Sequence, residues 1–226
     1  MTEKVDGIFN FAKPALLGPI PALDEPKAFM RDGKAQGEPK YSASLSLDPE
    51  SDDAKGLKAL AVQVAKAAFP GRDIGADFRA GKFALPFQNG TKLADDRNAK
   101  RGAAGKSADG DWQRGKLVIQ ARSKFAPRLA VILNGKVTDL DTPLLVQQNL
   151  KKFYFGAEVL AQLNLVAYKG VGANPDGVTA YLNILMANGK GTPLSTARSA
   201  ADVFSGYAGH ATDEDPTKGA EDDIPF

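Results

Sequence analysis

The residue types that carry most enzyme chemistry are scarce in this chain. Its 226 residues include no cysteine and one histidine, His210, near the C-terminus. Thiolate nucleophiles and cysteine-bound zinc or iron are therefore excluded, and a histidine-centred base or triad has only that one residue to draw on. Asp139 and Asp141 in VTDLDTP form the best carboxylate pair, and turn capping accounts for both. The Gly-rich runs GVGANPDG (170–177) and GKGT (189–192) are not phosphate-cradling loops followed by a helix, and both read as hairpin turns. No catalytic residue, metal or cofactor is expected.

What the chain does have is cations interleaved with aromatic rings at strand spacing. In WQRGKLVIQARSKF the odd positions Leu117, Ile119, Ala121 and Phe125 are apolar, while the even positions carry Trp112, Arg114, Lys116, Gln120, Arg122 and Lys124. In FYFGAEVLAQLNLVAYK, Phe153, Phe155, Val159, Leu163 and Leu165 form a core-like face and Tyr154, Gln162, Asn164 and Tyr168 the polar one. GVTAYLNILM repeats the arrangement, with Val178, Ala180, Leu182, Ile184 and Met186 opposite Thr179, Tyr181 and Asn183. Residues 88–128 hold ten cations (Lys92, Arg97, Lys100, Arg101, Lys106, Arg114, Lys116, Arg122, Lys124, Arg128) against four Asp, a local +6. Lys and Arg follow phosphates and exposed rings stack on unpaired bases, so the pattern suits a single-stranded nucleic acid. All these cations except Lys106 are candidate phosphate contacts, with Trp112, Tyr154, Tyr168 and Tyr181 as the stacking rings.

The elements that must position these residues are mostly strands. GIFNFAKPALL opens as a β-like segment, and a Pro-rich stretch then runs to Pro39. YSASLSLD alternates cleanly, with Tyr41, Ala43, Leu45 and Leu47 on one face. The pattern predicts a helix from Asp52 to about Phe69, with Asp48 and Ser51 as cap candidates, Leu57, Leu60, Ala61, Val64 and Ala68 on its apolar face, and Pro70-Gly71 as its stop. Residues 89–111 show no periodicity and read as a long basic loop. From Trp112 to about Met186 strands dominate, apart from a short turn or helix near 142–150. One helix among many strands predicts a mainly β fold, an OB-like antiparallel barrel with an inserted helix, rather than a parallel α/β sheet; a lipocalin-like barrel or a sandwich is the alternative. The domain is expected over 1–195, with 196–226 as a flexible acidic tail.

The net charge of +2 hides a division of sign. From 210 to 226 six acids stand against Lys218, a sum of −5, so the rest of the chain carries +7. The chain closes on AEDDIPF, a run of acid followed by Ile224, Pro225 and Phe226. This end resembles the C-terminal tip of bacterial single-stranded DNA-binding proteins. The resemblance implies a partner-binding peptide, in which Phe226 enters an apolar pocket while basic groups hold its carboxylate, Asp222 and Asp223. A flexible acidic lead with one aromatic anchor can be captured in that way. The body, over about 5–190, resembles the bacteriophage single-stranded DNA-binding proteins, an OB fold with insertions and an acidic tail.

The resemblance implies a non-catalytic protein that coats single-stranded DNA in phage replication, recombination or repair, and recruits replication or recombination proteins through its tip. It would work in the cytoplasm of the host cell, and self-association is compatible with it. No apolar run approaches the roughly 20 residues of a membrane span. The rival readings are a metal-dependent nuclease, which needs only carboxylates and Mg²⁺, and a scaffold that acts through its tail without touching DNA.

Overall fold

The computed structural model describes residues 6–19, 21–31, 34–105 and 111–194. In chain order it contains β1 (Ile8–Asn10), β2 (Ala15–Leu17), β3 (Ala22–Arg31), β4 (Lys34–Leu47), α1 (Asp52–Ala68), α2 (Ile74–Arg79), β5 (Phe83–Ala84), β6 (Phe87–Asn89), α3 (Gly90–Ala103), β7 (Leu117–Ser123), β8 (Arg128–Leu133), β9 (Lys136–Asp139), α4 (Pro143–Asn149), β10 (Ala157–Tyr168) and β11 (Asp176–Gly191).

Five strands close on themselves in the order β2, β4, β7, β11, β10 and back to β2. Only the β7–β11 contact in this ring is parallel, at Ala121 and Ala180. This is the OB-like barrel expected from the sequence. Alternate side chains fill it, among them Leu17, Leu45, Ile119, Leu163, Leu165 and Leu182, all buried. The other strands attach outside the ring. The strands β3 and β4 form a hairpin, β1 lies along β10, β6 along β7, and β8 along β11, with β9 outermost. Among the described residues no helix is long and apolar enough to cross a membrane.

The predicted helix is α1. Ser51 caps it by accepting the amide of Ala54, and Ala54, Leu57, Ala61, Val64 and Ala65 join the barrel core. Ala68, expected on that face, is exposed at the last turn. In the first turn of the helix, Asp53 is buried and its carboxylate accepts the amides of Ala12 (3.1 Å) and Lys13 (2.7 Å), tying α1 to the β1–β2 link.

Several expectations are corrected. The Pro-rich stretch before Pro39 is the β3–β4 hairpin; Pro26 offers no amide, and the register slips between Ala22 and Lys27 around it. Residues 90–103 are the helix α3, not loop. Asn89 caps it by accepting the amides of Thr91 (2.9 Å) and Lys92 (3.2 Å). Its composition of Ala, Lys and Arg favours a helix without an apolar stripe to announce it. In β11 the inward face runs Val178, Ala180, Leu182 and then Leu185 and Ala187, not Ile184 and Met186. Consecutive partners of β10 are Ile184 and Leu182, so Asn183 is an extra residue in a β-bulge, and one extra residue exchanges the two faces. GVGANPDG does connect β10 to β11, whereas residues 189–191 are the end of β11, with Gly191 opposite Ala157.

Candidate nucleic-acid interface

The outer face of three barrel strands brings the key side chains together. Ser42 pairs with Arg122 and Ser44 with Gln120 across β4 and β7, and Gln120 donates to the Ser44 hydroxyl at 3.1 Å. The parallel placement of β11 sets Thr179 and Tyr181 beside them, and the end of β10 supplies Tyr168. Gln120, Arg122, Tyr168, Thr179 and Tyr181, with Lys40 and Leu85, line a groove of about 440 Å³.

The Tyr168 wall of the groove is braced. Its hydroxyl lies over Gly177, where a Cβ would strike both that hydroxyl and the carbonyl of Ala84. Burial, and then the nearby Asp176 carboxylate, push the phenol above its ordinary pKa, so the ring stays neutral beside any phosphate. Asp176 accepts the Gly170 amide at 2.8 Å and the Arg72 guanidinium at 2.6 Å. The Gly170 amide first, and Arg72 after it, hold the Asp176 carboxyl below its usual range despite partial burial. Arg72 in turn holds Asp77 at 2.8 Å and lies 5.6 and 5.4 Å from the ring centres of Phe69 and Phe83. It is a strut between α1, α2 and the β10–β11 hairpin.

Tyr181 separates this groove from a second hollow of about 500 Å³, lined by Lys124, Phe125, Asn164 and Asn183 among others. Phe125 was expected on the apolar face of a strand, yet it is 82% exposed. The strand β7 ends at Ser123, whose hydroxyl accepts the Phe125 amide at 3.0 Å and turns the chain outward. Beside it Lys124 lies 2.6 Å from Glu38. That contact raises the pKa of the ammonium and lowers that of the carboxyl.

Of the expected contacts, Arg122, Lys124, Tyr168 and Tyr181 meet here, and the others lie elsewhere. Trp112 stands in the 3-10 turn Asp111–Gln113 before β7, not on a strand face, and its ring packs edge-on to Phe155 at 5.0 Å. Arg114 is held by Asp95 (2.9 Å) and Asp111 (3.2 Å). Lys116 lines a separate, mostly apolar hollow of about 600 Å³ with Lys58, Phe78 and Phe87. Arg128 bridges to Asp139 at 3.1 Å, which is where that carboxylate goes. Tyr154 precedes β10; it packs on the core and its hydroxyl donates to the Gly191 carbonyl at 2.9 Å. Lys92, Arg97, Lys100 and Arg101 are spread along α3, with Lys92 and Lys100 exposed. Asp222, Asp223, Ile224, Pro225 and Phe226 lie outside the described residues, as does His210.

Lys40, Phe125 and Arg72 were missed. Lys40 continues the Ser42, Ser44 side of the YSASLSLD alternation by one step, and that signal was available. For Phe125 the warning was Pro127, which stops a strand pattern from being carried through it.

The sequence profile of a family described as the Enterobacter phage Enc34 ssDNA-binding protein matches residues 21–217. The chain belongs to this family. No curated protein matches the sequence. Among solved structures, the Enc34 family member itself, the single-stranded DNA-binding protein from bacteriophage Enc34 in complex with ssDNA, is 17% identical. The match covers 84% of this chain and 90% of that one, with a TM-score of 0.57. A C-terminal truncation of the same phage protein is 17% identical over 83% and 88% of the two chains, with a TM-score of 0.55. The gp2.5 single-stranded DNA binding protein encoded by bacteriophage T7 is 14% identical over 88% and 98%, with a TM-score of 0.50. At these identities the likenesses establish the fold of this Enc34-family chain.

Proposed function

We propose that this Enc34-family protein binds single-stranded DNA without regard to base sequence, through the outer face of β4, β7 and β11. Arg122 and Lys40 follow the phosphates, and Tyr168 and Tyr181 stack on unpaired bases. One observation carries the reading: a cation from β7 shares one groove with two partly exposed tyrosines, on the barrel face that OB folds present to oligonucleotides. Rings in such a groove gain nothing from a duplex, whose bases are already stacked. Lys124, at the neighbouring hollow, joins the phosphate path once Glu38 lets go of it. The cations of α3, with Arg114 and Arg128, add to the positive field around the groove rather than to its walls.

We infer further that the protein coats DNA during phage replication, recombination or repair, and that Asp222 to Phe226 recruit a protein partner. Family membership and the acidic, aromatic-ended tip support this part. The binding reading is tested by titrating equal-length single-stranded and duplex oligonucleotides across a range of salt. Single-strand preference with steep weakening in salt is expected. Equal affinity for both forms, or affinity indifferent to salt, rejects it.

A further inference from the structure

We infer that the hollow beyond Tyr181 is a second nucleobase subsite, with Phe125 as its outer stacking wall, so that the bound strand crosses β11 and continues onto β10. This rests on the single-strand reading above. Phe125 is the most exposed large apolar side chain among the described residues, at 82%. The chain turns outward where the Phe125 amide donates to the Ser123 hydroxyl at 3.0 Å, and the ring there lies outside the core. The hollow has the composition of a base site: Phe125 and Tyr181 supply rings, Asn164 and Asn183 supply amides, and Lys124 supplies a cation. At about 500 Å³ it has room for a planar base.

The two asparagines also account for tolerance of sequence. Each amide carries donors and an acceptor on one short side chain and can turn over to face either kind of base edge. Asn183 reaches this position because it is the extra residue of the β11 bulge. Asn164 lies on the outer side of β10, opposite Tyr181. Tyr181 is thereby shared, with one base on the Arg122 side and the next on the Phe125 side.

The test uses the full chain and an oligonucleotide of about 12 nucleotides, within the span usual for one OB fold. A single abasic position is moved along the strand while affinity is measured by fluorescence anisotropy. Two separate positions should each lose about 5- to 150-fold, the range a lost stacking contact gives. Phe125→Ala should erase the sensitivity at one position, leave the other, and melt like the unaltered protein because the ring is exposed. Phe125→Trp should restore the lost position and add emission that is quenched on binding. The loss should be alike on dT and dA runs; a loss confined to one base type overturns the tolerance ascribed to the asparagines. If Phe125→Ala keeps the unaltered affinity and abasic profile while Tyr181→Ala weakens binding, the subsite is wrong and the groove stands. If the unaltered protein binds no oligonucleotide, the single-strand reading itself fails.

Discussion

Tyr181 separates two hollows, so its removal should cost more than that of any other ring in the groove. Tyr181→Ala is expected to weaken single-strand binding by about 1–3 kcal/mol with an unchanged fold, measured by anisotropy beside a thermal melt. Arg122→Ala should lower the affinity and also flatten its salt dependence by about 0.7 in slope, the share of one phosphate contact. Glu38→Gln runs in the opposite direction. Glu38 keeps Lys124 2.6 Å away and occupied, and with its carboxyl pKa lowered by Lys124 it stays charged through the neutral range. The glutamine variant should therefore bind DNA more tightly at low salt, and an affinity at or below that of the parent protein rejects competition between Glu38 and phosphate for Lys124. Tryptophan emission should change little on binding, because Trp112 packs on Phe155 and lines neither hollow. At this scale the sequence made the outer-face placement of Arg122, Tyr168 and Tyr181 legible, since their alternation lies inside true strands. It misled for Trp112, Lys116 and Phe125, because those residues lie before or after β7 and parity has no meaning beyond the ends of a strand.

Elements announced by an apolar period were legible, and those built from local polar bonds were not. The helix α1 could be read because one face of it completes the barrel core. The helix α3 escaped because its buried side is only Gly90 and Ala94, fixed by the Asn89 cap and by the Gly90 amide on the Lys116 carbonyl. Gly90 has no substitute there, since a Cβ would run into the Gln113 carbonyl. Asn89→Ala should cost about 1 kcal/mol of stability, read as a shift in the denaturant midpoint without a change in slope. Asp53→Ala should cost more, about 3 kcal/mol, because the amides of Ala12 and Lys13 would lose a charged acceptor in a buried place. For a domain of this size that corresponds to a fall of roughly 6–12 °C in melting temperature. DNA affinity measured well below the melt should be unaltered, since Asp53 lies outside the groove.

For the whole molecule, the division of charge between body and tail makes a prediction about DNA binding. Deleting residues 210–226 removes six acids and Lys218, changing the net charge from +2 to +7. Single-strand binding should tighten, most at low salt where screening is weakest. Deleting Phe226 alone leaves every side-chain charge in place and should leave DNA affinity as it was, so a gain equal to that of the longer deletion would show that charge is not the cause. The closed barrel was legible as a class from strands without repeated helices. Its closure was not, because the β7–β11 contact joins residues 59 positions apart (Ala121 and Ala180) and leaves no local trace in sequence. That one parallel contact also sets a timetable. Arg122 leaves the ribosome 59 residues ahead of Tyr181, roughly 3–12 seconds at ordinary rates of synthesis. During that interval the far half of β7 has no strand beside it on the β11 side, and a bare strand edge invites pairing with neighbouring chains. A chain interrupted before β11 has emerged lacks Tyr181 and leaves that edge of β7 unpaired, so such fragments are expected to associate with one another.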